Sequence, residues 1–349
     1  MLRFILRRIL QAIPTLFGIS FLSFAIMTAA PGGPTAAMKL DPHLTVKQRE
    51  AAADRLGVND PFFVQYIRWL IGDDWKTYET VDNDGNVVRE KGENKGILRG
   101  DFGRSFTYKM PVVDLIKEKL QPTAELGLLS LLVGFGLGVP IGILSALNQG
   151  GKFDNLTRVV AVVFNALPAF YMGLLLILVF GSYLELLPMG NRCPISVSGE
   201  CSLTDRAERL ILPVFTIATG FIAVLSRYAR AATLDVLNQD YVRTARAKGL
   251  HSRQITFRHV GRNMLIPIVT LLGPSIPGIL GGAVVVERIF SWQGLGRLAL
   301  EAVTTQDYPV VMAFVMFGGV STVIGYLLSD IMYALVDPRI SLDAGAGRS

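Results

Sequence analysis

The chain has 349 residues, 51% of them hydrophobic and 18% charged, with 34 Lys and Arg against 28 Asp and Glu for a formal net charge of +6. Mean hydropathy is +0.43. An average soluble domain is about 25% charged, so the composition argues against a soluble protein. The basic residues sit beside apolar segments, which argues against nucleic acid as a partner.

A helix needs roughly 20 apolar residues to cross about 30 Å of hydrocarbon. Six blocks are apolar enough: Ile9–Ala30, Ala124–Leu147, Val159–Leu184, Leu210–Tyr228, Leu265–Val286 and Val310–Val336. The predicted fold is an all-α integral membrane protein with six transmembrane helices. It divides into an N-terminal helix (1–30), an extracytoplasmic insertion (31–123) and a five-helix core (124–349). Arg3, Arg7 and Arg8 precede the first block, as in a signal peptide. Its apolar run exceeds the usual signal core of about 7–15 residues, and Pro31 follows the small residues, so a retained helix is predicted.

The insertion carries 14 basic and 14 acidic residues between Pro31 and Thr123. Thr45–Leu56 reads as a short amphipathic helix, and Asp60–Leu70 as another with Pro61 in its first turn. Val81 to Val88, around Asp84-Gly85, gives a hairpin signal, with a polar loop as the alternative. Val112, Leu115, Ile116 and Leu120 have helical spacing. They predict a helix along the membrane surface, with Pro122 opening the second span.

Lys152 and Arg158 flank the second-to-third loop. Arg227, Arg230, Arg243, Arg246, Lys248, Arg253, Arg258 and Arg262 crowd the fourth-to-fifth connection, and Arg339 and Arg348 follow the last block. Six spans put all these regions, with the N-terminus, on one side, which the positive-inside bias makes the cytoplasm. Both termini are then cytoplasmic. Cys193 and Cys201 fall on the outer side, where disulfides persist. A bridge would contribute about 2.5 kcal/mol in the chain-entropy model; two free thiols are the alternative.

The connection at 230–263 has more order than charge bias requires. Leu234–Lys248 fits one helix, with Gly249 where a left-handed C-cap belongs, and Ser252 suits the N-cap of a second helix through Arg262. Tyr241, Val242 and Ala245 make a small apolar face, ringed by Asp240, Arg243, Arg246 and Lys248. This pattern suits docking of a partner protein. The fifth block contains Gly273-Pro274 and Pro277-Gly278, which fit either a wet path lined by broken helix or close helix packing. Glu125, Arg227, Glu287 and Asp330 read as gating or packing partners.

No enzyme signature is present. Gly151-Lys152-Phe153 lacks the Ser or Thr and the upstream Gly of a phosphate-binding loop. His43, His251 and His259 form no metal-ligand spacing. No internal repeat is detectable. An ion-coupled secondary transporter would call for intramembrane carboxylates or an inverted repeat, and neither is evident.

Asp240-Tyr-Val-Arg-Thr-Ala-Arg-Ala-Lys-Gly-Leu250, with Arg262-Asn263 and Pro267 downstream, resembles the EAA loop of ABC importer permeases. More narrowly, the chain resembles the B-type permease subunit of dipeptide and oligopeptide importers. Stretches that carry the likeness include Leu6–Pro14, Ala30–Pro34, Gly100–Ser105, Leu210–Pro213, Gly282–Trp292, Gly294–Arg297 and Asp337–Arg339. Gly33, Gln293 and Tyr326 depart from the family pattern, and Gly72–Gly96 looks inserted. The resemblance implies a non-catalytic subunit in a bacterial or archaeal plasma membrane, with no cofactor of its own. It implies a second permease, ATPase subunits that bind ATP and Mg, and an extracytoplasmic substrate-binding protein. ATPase docking would fall to Asp240, Tyr241, Arg243, Ala245, Arg246, Lys248 and Gly249. Gly273, Pro274, Pro277, Gly278 and Glu287 are the candidates for the path or gate. Nickel chelates, glutathione and oligosaccharides are alternative substrates within this permease type.

Overall fold

A computed structural model describes residues 2–29, 53, 57, 59–81, 87–92, 94–194, 201–251, 254–255, 261–280 and 283–336. The predicted helices at Thr45–Leu56 and Ser252–Arg262 lie wholly or largely outside these residues. The described chain is mostly helical. Its elements in order are α1 (Leu2–Ala29), α2 (Phe62–Ile71), strands β1 (Thr77–Val81) and β2 (Val87–Lys91), α3 (Val112–Leu147), α4 (Lys152–Ala166) and α5 (Ala169–Leu176). A π-helical turn (Ile177–Tyr183) continues α5. Then come α6 (Leu203–Leu237), α7 (Asp240–Ala247), α8 (Gly261–Val269), α9 (Leu272–Leu280), α10 (Val284–Ile289), α11 (Leu295–Thr304) and α12 (Tyr308–Val336).

Among the described residues, four helices are long and apolar enough to cross a membrane: α1, α3, α6 and α12. The pair Lys152–Ala166 and Ala169–Tyr183 makes a fifth if counted as one span, although it bends by 103°. The bend has a local cause. Leu167 precedes Pro168 and is pushed into extended conformation, φ −76° and ψ 125°, which ends α4. The fifth apolar block is not one helix. Pro274 has no N–H to give the Thr270 carbonyl, and the chain breaks between α8 and α9.

The expected surface helix before Pro122 does not exist as a separate element. α3 runs 36 residues with Pro122 and Pro140 inside it. Val112 and Leu115 are buried in protein rather than laid on a membrane surface.

The chain packs as two compact units that interleave in sequence. The first comprises Met1–Ile9, Gln121–Arg297 and Ser321–Ser349. In it α6 is the central element. Ser202 and Asp205 form a capping box at its start, Ser202 Oγ accepting from the Asp205 amide at 3.1 Å. α3 lies against α6 along Gly134, Gly138 and Gly142. A β-carbon at Gly142 would stand 2.4 Å from the Ser226 carbonyl oxygen, and one at Gly134 2.4 Å from Phe221 Cβ. Small residues at this spacing let membrane helices approach closely.

The second unit comprises Leu10–Leu120 and Leu298–Val320. β1 and β2 pair antiparallel with Thr77 opposite Lys91 and Val81 opposite Val87. Asp307 receives the Phe106 and Thr107 amides at 3.1 Å each and the Ser105 hydroxyl. That network accounts for the end of the Gly100–Ser105 motif.

Candidate functional site

α6 ends at Leu237, and the chain turns at Asn238 and Gln239 before starting α7. The single helix predicted over Leu234–Lys248 is therefore two. Gln239 is extended (φ −73°, ψ 148°), and its carbonyl takes the first bonds of α7, from the Val242 amide at 3.0 Å and Arg243 at 3.2 Å. α7 closes with a Schellman arrangement. The Leu250 amide donates to Ala245 at 3.3 Å, and the Gly249 amide to Arg246 at 2.9 Å. Gly249 has φ +76° with open space where a β-carbon would point, so backbone conformation, not crowding, selects glycine there.

Val242 and Ala245 sink into a core with Leu225, Ala229, Ile255, Met264 and Ile268. Tyr241 is not part of that buried face; it is 42% exposed. Arg246 and Lys248 are exposed. The side chains of Asp240 and Arg243 are 98% and 71% exposed, 3.7 Å apart, an ion pair of little energetic weight at such exposure. α7 is thus a short helix fixed by two small apolar side chains, with a charged and aromatic face turned outward.

Beside it lies a cleft of about 510 Å³ lined by residues that include Asn148, Gln149, Leu237, Asn238 and Arg246. The turn between α3 and α4 is tied to α6 by Asp154. This carboxylate is fully buried and accepts from Arg230 Nε at 2.6 Å, Arg230 Nη2 at 2.8 Å, the Gly150 amide at 2.9 Å and the Ser145 hydroxyl. Nothing in the sequence marks Asp154 and Arg230 as a pair. No periodicity links two residues that far apart.

Glu287 is also fully buried. Its Oε1 accepts from Thr123 Oγ1 at 2.8 Å and its Oε2 from the Arg297 amide at 2.9 Å. Thr123 Oγ1 in turn accepts the Leu295 amide at 2.7 Å, and the Trp292 indole donates to the Pro122 carbonyl at 2.8 Å. The described part of these motifs, 283–297, therefore wraps a turn around this carboxylate. Of the other path candidates, Gly273 is buried against α12: a β-carbon there would meet Ser329 Cβ at 2.8 Å. Pro274 and Gly278 are exposed, and Gly278 has open space beside it.

Cys193 and Cys201 are joined as a disulfide with Cα atoms 5.4 Å apart. The adjoining Arg192 holds Glu125 of α3 through bonds of 2.9 and 2.6 Å. Among the described residues no group of three or more His, Cys, Asp or Glu could hold a metal ion.

Several apolar membrane-crossing helices and an outward-facing mounted helix define a polytopic α-helical membrane protein. The chain belongs to the family of binding-protein-dependent transport system inner membrane components, whose profile matches residues 138–342. The profile of the N-terminal region of such membrane components matches residues 1–127. The oligopeptide transport system permease protein AppB of Bacillus subtilis is 42% identical over 341 residues, 97% of this chain and 99% of that protein. The dipeptide transport system permease protein DppB of Escherichia coli K12 is 32% identical over 359 residues, again 97% and 99%. The glutathione transport system permease protein GsiC of Escherichia coli is 33% identical over 340 residues, 97% and 99%. This chain is a permease subunit, a membrane component of a transport system and not itself an enzyme.

Proposed function

We propose that this permease serves an ATP-driven importer of di- and oligopeptides. Near-full-length similarity to permeases named for oligopeptide and dipeptide transport supports the substrate class. The chain forms half of a translocation path with a second, similar permease. Partner ATPase subunits bind ATP and Mg, and a substrate-binding protein delivers the peptide from outside. The fifth and sixth spans are completed by α4 with α5 and by α8 to α10. Both termini then lie in the cytoplasm, and the 72–96 insertion outside, where it touches the binding protein.

The observation that carries the coupling role is the mounting of α7. Val242 and Ala245 anchor it to the core beneath α6, while Asp240, Tyr241, Arg243, Arg246 and Lys248 remain outward for an ATPase groove. A force applied to this face passes into α6 without unfolding the loop. Pro274 and Gly278 are the path-facing candidates. Gly273, packed on α12, and Glu287, enclosed in its turn, hold that segment in shape.

The test is made on the co-expressed importer. Arg243→Glu and Tyr241→Ala change two exposed side chains of α7. Both are expected to weaken ATPase retention and to lower peptide uptake per ATP hydrolysed, with the permease still eluting as a folded species. Normal retention and coupling in both variants would rule out α7 as the docking element. Uptake by the isolated chain in vesicles, driven by an ion gradient alone, would make it a secondary transporter. The similarity to GsiC favours one second reading, glutathione as substrate. Ligand retained by the co-purified binding protein separates the two.

A further inference from the structure

We infer that α2, although it belongs to the segment after the first span, lies within the bilayer and presents one face directly to lipid acyl chains. The depth follows from what holds it. Tyr66 of α2 bonds Ser20 of α1 at 2.7 Å and packs edge-on against Phe17, Phe21 and Phe24 at 5.3–5.9 Å between ring centroids. Phe62 and Trp69 add contacts to Phe21 and Phe24.

All these α1 residues lie well inside its apolar run, Leu6–Ala29. Those 24 residues make a helix about 36 Å long against about 30 Å of hydrocarbon, so only about two residues at each end reach the headgroups. A helix clasped at positions 17 to 24 is therefore at hydrocarbon depth, whichever way α1 is oriented.

The composition of α2 suits that depth. Phe63, Val64, Ile67 and Ile71 form its outward face and are 42–66% exposed. Its one charged residue, Arg68, is turned inward to Asp60, Asp73 and Tyr78. A helix that floats at the headgroup level carries its basic residues outward instead. Two carbonyls at its C-terminal end also find protein donors, as backbone at membrane depth requires. Arg99 Nη2 donates to the Ile71 carbonyl at 2.7 Å, and the Trp75 indole to the Gly72 carbonyl at 3.2 Å. The exposed ring of Trp75 then marks the level where the chain re-enters the interface. The outward face has no Gly, Ala, Ser or Thr, the residues on which membrane helices pack against one another. Bulky Phe and Ile side chains suit mobile acyl chains better than a second permease helix.

The test uses the full-length chain in phospholipid vesicles with its partner subunits. Nitroxide labels at Phe63→Cys and Ile67→Cys are expected to collide several-fold more often with dissolved oxygen than with a water-soluble nickel chelate. The opposite ratio would place α2 in water. Suppression of both collisions would place it under another protein chain. Either result overturns the inference. Unmodified chain in native membranes provides the second arm, with a phosphatidylcholine that carries a diazirine midway along its acyl chain. Adducts are expected on the 62–71 peptide at a level comparable to the exposed Leu128 and Leu132 of α3. Adducts on α3 with none on α2 would sink the proposal.

Discussion

Arg230 reaches across from α6 to hold Asp154 at the start of α4 with two near-parallel hydrogen bonds of 2.6 and 2.8 Å. Asp154 has no exposure at all. Removing the cation leaves a buried carboxylate with only neutral donors, which costs about 3–5 kcal/mol. Arg230→Ala is therefore expected to lower the unfolding midpoint of the purified subunit sharply. Asp154→Asn combined with Arg230→Ala should recover part of the loss. Thermal unfolding followed by size exclusion across the double-mutant cycle checks this, and additive single effects would show that the pair is not coupled.

Gly142 separates packing from propensity. Its β-carbon position collides with the backbone of α6, whereas Gly136 has nothing within 4 Å. Gly142→Val should destabilise by about 1–3 kcal/mol through overpacking. Gly136→Ala should be neutral or gain up to about 1 kcal/mol from helix propensity. The comparison is read from unfolding midpoints in the same detergent. Equal effects would mean that α3 does not rest on α6 along this stripe.

Long apolar runs made α1, α3, α6 and α12 legible in the sequence, because burial in lipid leaves a local compositional record. The Gly134, Gly138 and Gly142 spacing was equally open to reading and marks the α3–α6 contact. The break at Asn238-Gln239 was not legible. Val242 and Ala245 have helical spacing with the preceding turn, and only their burial on Met264 and Ile268 rotates α7 away from α6. The same packing leaves Tyr241 outside the apolar face where periodicity had put it. Val112 and Leu115 likewise follow the pattern of a surface helix, yet both are buried and belong to α3. The partners of Asp154 and Glu287 lie 76 and 164 residues away, and a single sequence records no such pairing.

Tyr78 gives the second unit a pH dependence of known sign. Burial, reinforced by the neighbouring charge of Asp73, pushes its hydroxyl from the usual 10.0 up to about 12. The folded state thus keeps its proton after the unfolded chain has lost it. The associated stability is fully present below pH 10 and is lost as pH rises toward 12. Tyrosinate absorbance should show a late-titrating component that is missing in Tyr78→Phe. In the same interval, unfolding midpoints of the wild type should fall more steeply than those of the variant.

The enclosure of Glu287 makes opposite predictions for a gate and for a bracket. A β-carbon at Gly294 would stand 2.5 Å from both Glu287 Oε1 and Thr123 Oγ1. Gly294→Ala must therefore displace the carboxylate or open the turn. Glu287→Gln brings an amide N–H toward groups that are themselves donors, and a buried donor left unpaired costs about 1–3 kcal/mol. If the carboxylate is a bracket, both variants should lower the unfolding midpoint together, and uptake should fall only as folded protein is lost. A gate would show itself differently: Glu287→Gln would change the rate of uptake at unchanged folded yield, and Gly278→Ala, beside open space, would serve as the neutral reference. The geometry supports the bracket, because both oxygens of Glu287 are already engaged, Oε1 by Thr123 of α3 and Oε2 by the Arg297 amide of its own turn.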